Sequence, residues 1–437
     1  MGWVAAFVIA LTSLSGSAAK PNFIIILTDD QGYQDLGCYG SPDIETPHID
    51  RMAAEGIRFT DFYVSGPKCV PSRFSLMTGC YPPKVDSPLP LYYGSPFGIN
   101  ADEILIGELL QNNGYVTALI GKWHLGSRPP FHPNRHGFDY YFGILSSNDH
   151  RNSKPLLFRQ EEVIEDPANQ ARLTQRYTAE SMEFMQNHKD TSFFLFLSHA
   201  MPHQPLHVSQ SFKGRSKRGL FGDAIEEIDW STGQILQTLE QLGLDGNTLV
   251  LFYSDNGPWL RLGDHGGSAL PLRAGKQSTY EGGVRVPFIV WGPGLVEGGK
   301  TCDEIATCMD IYPTFAAMAE IPVPERQKVD GKSLLDLFED PEEAKSPHAF
   351  IRYYKEKQLI AVRKGRWKYH WPSLFTHEFH TDGELYDLQT DIGESKNLIH
   401  SHPDLADELR LLGASAHQQM NRDYRPGARS DVPPHRW

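Results

Sequence analysis

Cysteine is scarce here, five in 437 residues, and the number is odd, so no complete set of bridges could use them all. That excludes a small fold stapled by disulfides. Basic residues are short as well: 41 Lys and Arg stand against 54 Asp and Glu, a formal charge of −13. The imbalance excludes a nucleic-acid binder and a surface that coats polyanions generally. Any anionic ligand must therefore be held by a locally basic pocket. Beyond the first residues no long apolar run occurs, which excludes a second membrane-spanning candidate. Internal repeats and low-complexity tracts are missing too.

What is present begins with a charge-free leader. Residues 1–19 carry no Asp, Glu, Lys or Arg, and the apolar run from Trp3 to Leu14 gives way to Ser-Gly-Ser-Ala-Ala before Lys20. This reads as a secretory signal cleaved after Ala19 and predicts an exported protein in a periplasmic, secreted or lysosome-like compartment. The lack of Lys or Arg ahead of the run departs from the usual pattern and leaves a short anchor as the alternative. Apolar residues at 40% and aromatics at 11% suit an enzyme-sized core. The length suits a large α/β domain with a smaller partner.

Asn22 opens a continuous apolar run that ends at Asp29 and Asp30, the pattern of a strand buried on both faces with ligands at its carboxyl end. Similar strands are expected at Thr117 to Ile120, Phe193 to Ser198, Thr248 to Ser254 and Pro287 to Trp291. Amphipathic helices are expected at Ile49 to Glu55, Glu103 to Asn112 and Asp223 to Leu242. The alternation predicts an α/β fold with helices on both faces of a sheet. A Pro-bounded, charged stretch from Pro341 to Pro347 divides a catalytic domain, 20–345, from a smaller α+β domain, 346–437. In the latter, short strands at 360–363, 367–370 and 384–388 and a helix from Pro403 to Gln418 form a small antiparallel sheet with one helix. The Arg-, Pro- and Gly-rich tail from Asn421 is expected to be poorly ordered.

The run Lys68-Cys69-Val70-Pro71-Ser72-Arg73 carries the most information, because Cys-x-Pro-Ser-Arg is what a formylglycine-generating system reads. Here the sequence resembles the type I sulfatase family, within the alkaline-phosphatase-like enzymes. Cys69 to Gly79 matches the family's first signature, and Gly114-Tyr-Val-Thr-Ala-Leu-Ile-Gly-Lys-Trp-His124 its second. Asp43 to Phe59 and Gly121 to Phe142 resemble the subgroup containing arylsulfatase A and N-acetylgalactosamine-6-sulfatase. The resemblance implies an alkaline-phosphatase-like fold, a large mixed sheet flanked by helices with a smaller C-terminal antiparallel sheet plus helix. It also implies that Cys69 becomes formylglycine (3-oxoalanine), whose hydrate attacks sulfur and later expels sulfate by reforming the aldehyde. Pro71 suits the first turn of a helix running to Thr78 and stopping at Gly79, which puts position 69 at an anion-favouring amino terminus.

Sulfate monoesters resist hydrolysis because the nucleophile approaches an anion and the leaving alkoxide is poor; positioned cations and a proton donor are required. Asp29, Asp30, Asp255 and Asn256 offer oxygen ligands, which suit Ca²⁺ or Mg²⁺ rather than Zn²⁺. The resemblance adds an oxygen of modified Cys69 and selects Ca²⁺ over Mg²⁺. Candidate charges and bases are Arg73, Lys122, His124, His203 and Lys276. By resemblance Arg73 holds the hydrate, His124 deprotonates it, and His203 and Lys276 serve the sulfate and leaving group. His199 and His207 flank His203, but the prolines around His203 favour it. Pro82 to Gly98 is a candidate pocket wall or a plain surface loop. Lys213, Arg215, Lys217 and Arg218 read as a solvated loop rather than a polymer subsite. Cys302 and Cys308 are a possible bridge, with free buried thiols the alternative.

The function expected is hydrolysis of sulfate esters, on a carbohydrate or aryl group, to alcohol and inorganic sulfate. The partners expected are a sulfated small molecule or glycan and a formylglycine-generating enzyme, with no nucleic acid and no stable membrane span. Two other readings remain: a phosphonate monoester or phosphodiester hydrolase with the same nucleophile, and a non-catalytic binder of sulfated glycans.

Overall fold

The computed structural model describes residues 20–86, 91–372 and 382–433; the leader, 1–19, lies outside the described residues. A ten-stranded mixed sheet forms the centre. Its middle is parallel, in the order Thr248–Ser254, Asn22–Thr28, Phe193–Ser198, Val116–Lys122, Tyr140–Ile144. On one side Phe288–Trp291 pairs antiparallel and is followed by Ile57–Phe59 and Lys300–Cys302; on the other the hairpin Leu157–Arg159 and Glu162–Glu165 closes the edge.

The central strand shows why the sheet is covered twice. Phe23, Ile25 and Leu27 enter one buried apolar cluster, while Ile24 and Ile26 enter the other. Side chains alternate between faces along a strand, so a continuous apolar run needs a helical layer on each side. Helices Pro47–Glu55, Leu173–Asn187 and Gly219–Leu242 contribute to one cluster, whereas Cys69–Thr78, Ile106–Gln111 and Ile311–Met318 contribute to the other. Thr28 lies level with Ser254, and Leu27 and Gly121 lie level with Ser198. The segments after these strands therefore emerge side by side at one edge, where open α/β sheets place their ligands.

A four-stranded antiparallel sheet, Ile351–Lys355, Gln358–Lys364, Trp367–His370 and Glu384–Asp387, follows with helix Pro403–Met420 against it. Its first strand and several short strands of the large sheet lack a readable period in the sequence. The sheet is not insulated from the larger layer: Ile351, Tyr353 and Ala361 belong to the same buried cluster as Phe23 and Phe74. Residues 434–437 of the tail lie outside the described residues; the part before them is held by specific contacts. Ala428–Arg429 pairs with Phe97–Gly98, Arg425 donates to Glu103 at 2.6 and 2.8 Å, and Arg128 donates to the Ser430 carbonyl at 2.9 Å. Composition suggested a loose end, but partners far away in sequence tie it down. Cys302 and Cys308 also differ from the possible bridge, since all five cysteines are free thiols and Cys308 contacts Ser65 instead. Among the described residues no helix is long and apolar enough to cross a membrane.

Candidate active site

Helix Cys69–Thr78 is buried along its length and ends on Gly79 in the left-handed region, φ 68°. A residue with a Cβ is disfavoured in that conformation, which makes Gly79 the natural stop. Cys69 is the first helical residue, so its side chain lies beside backbone N–H groups that lack intrahelical acceptors. Its Sγ is 3.2 Å from Asp29 Oδ1, 3.9 Å from Asp30 Oδ1 and 3.5 Å from Lys276 Nζ. Asp29, Asp30, Cys69 and His203 all present ligand-type atoms within 4.8 Å of one another.

Three carboxylates and three cations are matched one to one. Lys122 Nζ donates to Asp29, Lys276 Nζ lies 2.6 and 2.7 Å from the two oxygens of Asp30, and Arg73 contacts Asp255 Oδ2 at 2.8 and 2.9 Å. Arg73 is fixed further by the Ser198 hydroxyl at 2.6 Å and the Lys122 carbonyl at 3.0 Å. Gly121 lets its strand lie against the backbone of Ser198, because a Cβ there would fall 1.8 Å from the Ser198 carbonyl oxygen. Asn256 donates to Asp30 Oδ1 at 2.8 Å, and its own Oδ1 is buried without a hydrogen-bond partner. An orphaned amide oxygen beside paired carboxylates fits a hard divalent cation. The protein groups alone sum to about zero charge, so such a cation would leave about +2 to meet an anionic ester.

Burial opposes every charge here, and the neighbours decide the outcome. It works against ionised Asp29, yet Lys122, His203, Arg73 and Lys276 hold that carboxyl well below its ordinary range. Asp255 goes the other way: burial, then the Asp29 charge, push it up to about 7 against the pull of Arg73. Burial is the largest influence on Lys122 and Lys276 and disfavours their charge, but the anionic neighbours together, led by Asp29 and Asp30 respectively, outweigh it and both amines are raised. His124 is lowered well below its ordinary value and His203 is lowered, both chiefly by burial, with Asp30 pulling His203 the other way. Burial and the Asp255 and Asp29 charges raise the Cys69 thiol well above its usual value. Unconverted, it is a poor nucleophile.

A cavity of about 390 Å³ opens above this cluster, lined by Cys69, His124, His203 and Lys276 among others. His203 Nδ1 meets the Gln204 carbonyl at 2.6 Å, which leaves Nε2 facing Asp30 at 3.7 Å. His199 is buried against Ser231 and His207 is half-buried, and neither lines the cavity. Asp30 and His124 have φ of 67° and 63°, strained backbone of the kind that collects at functional sites. Of the segment Pro82 to Gly98, Leu91 and Tyr92 form part of the wall, and 87–90 lie outside the described residues. Lys213, Arg215, Lys217 and Arg218 lie away from the cavity.

Several cavity residues escape a reading of the sequence. Ser147 Oγ is 3.5 Å from Lys122 Nζ, and Asn148 Oδ1 is 3.0 Å from His203 Nδ1. Asp149, His150, Trp259 and Gln277 line the wall. The segment Ser147 to His150 follows a strand, Tyr140–Ile144, whose end was the available signal once that strand was known.

Comparison with known proteins gives concordant results. The family profile described as sulfatase matches residues 21–321, and one described as N-sulphoglucosamine sulphohydrolase, C-terminal, matches residues 274–419. The chain is 38% identical over 401 residues to N-acetylgalactosamine-6-sulfatase of Mus musculus, covering 84% of this chain and 75% of that protein. It is 36% identical over 450 residues to arylsulfatase A of Bos taurus, covering 92% and 87%. Among solved structures, Ps i-CgsB in complex with k-i-k-neocarrahexaose superimposes with a TM-score of 0.80 at 30% identity, covering 93% of this chain and 94% of that one.

Proposed function

The chain belongs to the sulfatase family and is a sulfuric ester hydrolase, and from that premise we propose that it acts on sulfated carbohydrates, with Cys69 as the site of the formylglycine. The single observation that carries the site is the placing of Cys69 Sγ within 3.9 Å of Asp29, Asp30 and Lys276 at the floor of one cavity. As its hydrate, formylglycine supplies the hydroxyl nucleophile that a raised cysteine thiol cannot. Asp29, Asp30, Asp255 and Asn256 would hold a divalent cation, for which Ca²⁺ is our assignment, and the cation supplies positive charge to the ester oxygens.

The protein's own groups divide the remaining work. Lys122 and Lys276 keep their protons because buried carboxylates face them, so both donate hydrogen bonds to the sulfate group as charge develops. Lys276, beside position 69, is the donor placed for the departing oxygen. His124 is neutral, with Nδ1 buried and unpartnered, the state required of a group that accepts a proton from the position 69 side chain. Arg73 makes the floor rigid by tying Asp255 to Ser198 and the Lys122 carbonyl. The carbohydrate assignment is supported by the relatives' names, which specify an N-acetylgalactosamine 6-sulfate and a neocarrahexaose complex. Export is supported by the charge-free apolar stretch before Lys20.

The test is the mass of the peptide containing Cys69, from protein produced with a formylglycine-generating enzyme, together with turnover of an aryl sulfate. A loss of about 18 Da with sulfate release is the expected result for this activated nucleophile. Full turnover by protein whose Cys69 remains a thiol would overturn the assignment.

A further inference from the structure

Above the sulfate-holding floor the cavity wall has a charge of its own. Apart from Cys69, Tyr92, His124, His203 and Lys276, its ionisable side chains are Lys68, Glu356, Asp149 and His150. Lys68 and Glu356 face each other at 3.5 Å and offset one another. His150 is held by burial at about 4, despite the Asp149 carboxylate 3.8 Å away, so at neutral pH it adds no charge. Burial works against the charge on Asp149, but His203, the Ser147 hydroxyl and Lys122 overcome it, and the group is lowered. Its side chain is 41% exposed, so it presents a carboxylate to the cavity solvent.

The segment that presents Asp149 is braced and strained. Arg151, Asn152 and Ser153 follow it with φ of 56°, 56° and 62°, three successive residues in a conformation that costs roughly 1–2 kcal/mol each for a side chain with a Cβ. Gln170 Nε2 bridges the Asn148 and Ser153 carbonyls at 3.3 and 2.9 Å, and Asn148 Nδ2 reaches the His203 and Pro205 carbonyls at 3.2 and 3.3 Å. Asp149 is thus fixed relative to His203 rather than free to swing away. Across the cavity Trp259 packs 5.9 Å from the His203 ring, and Tyr92 is 59% exposed at the mouth, giving two aromatic surfaces for the face of a ring.

We propose that Asp149 is a specificity-determining residue: it accepts hydrogen bonds from hydroxyl or amide groups beside the scissile sulfate and rejects substrates carrying a second anionic group there. The substrate class is then a neutral or cationic sugar ring bearing one sulfate, not a densely sulfated polymer. This rests on the sulfatase reading above. Like charges brought together at a desolvated contact oppose binding strongly, which makes such a carboxylate a filter rather than a source of affinity.

Three aryl sulfates that differ only in a substituent next to the ester (carboxylate, carboxamide or aminomethyl) provide the test, with kcat/KM measured on the full, Cys69-converted chain. The wild type is expected to prefer carboxamide over carboxylate by about tenfold or more, and aminomethyl at least as well as carboxamide. Asp149→Asn is expected to bring all three within about twofold while still turning over the carboxamide. Glu408→Gln, which removes an exposed charge in the C-terminal helix, should keep the wild-type ratios. Unchanged ratios in Asp149→Asn, or an equal shift in Glu408→Gln, would overturn the proposal and leave the sulfatase reading standing. No sulfate release from any probe, with the 18 Da loss verified, would overturn the sulfatase reading and the proposal with it.

Discussion

At the scale of single residues, the site works by matched pairs whose members are costly to leave alone. Lys276 touches both oxygens of Asp30 and lies beside Cys69. Replacing it with Met removes a charged donor aimed at the reacting group, and turnover should fall by about 10²–10³. The check is kcat of Lys276→Met on an aryl sulfate, with peptide mass showing that Cys69 is still converted; a loss under about threefold would remove Lys276 from the machinery. Asp255 is the partner of Arg73 and sits beside Asp30 and Asn256. In Asp255→Ala, metal content measured by elemental analysis should drop together with activity. Full metal occupancy in that variant would take Asp255 off the ligand set.

At the scale of elements, the C-terminal sheet is fastened to the catalytic layer by buried charge. Glu281, in the short helix Glu281–Val284, accepts from Lys368 at 2.7 Å and Tyr63 at 2.5 Å, with Arg285 at 3.3 Å and Arg363 at 3.9 Å. Lys368 and Arg363 come from the small sheet, and Lys368 also donates to the Thr279 carbonyl, three residues from Lys276. Removing one member of a buried ion pair leaves the others uncompensated, typically at about 3–5 kcal/mol. Glu281→Ala should therefore lower the unfolding free energy by that order, read from the shifted midpoint of urea unfolding, and it should weaken activity through the Lys276 segment. A midpoint within experimental error of wild type would show that the two sheets are joined by apolar packing alone.

At the scale of the whole molecule, the same network sets an acid limit. Burial disfavours the Glu281 carboxylate, but Lys368, Arg363 and Arg285 overcome it and bring the group down to about 2, from 4.5 unfolded. Because the folded value is the lower one, the unfolded chain binds more protons between these limits. The contribution, roughly 3 kcal/mol, is complete above pH 4.5 and is lost as pH falls through about 2. Thermal unfolding followed across pH 2 to 6 should show this slope, and Glu281→Gln should flatten it. An equal slope in that variant would place the acid sensitivity elsewhere.

Short-range pattern made part of this legible from the chain alone. The run ending at Asp29 and Asp30, the strand before Asp255 and the Cys69 helix with its glycine stop are local events, governed by burial period and backbone preference over a few residues. Lys122, His124, His203 and Lys276 came from signatures, and the chemistry implied by Cys-x-Pro-Ser-Arg is a property of the sequence itself. The short strands Ile57–Phe59, Leu157–Arg159 and Lys300–Cys302 were not legible, because runs of three residues carry no period and exist only through their pairing. Packing between distant segments decided that Asp30 meets Lys276 from 246 positions away, that Arg425 returns to Glu103 and that Asp149 stands on the cavity wall. Which chemical groups this protein owns, and which strands carry them, follows from the order of its residues. Their distances, their burial and therefore their charges follow from the folded packing, since those depend on contacts between segments that share no local pattern.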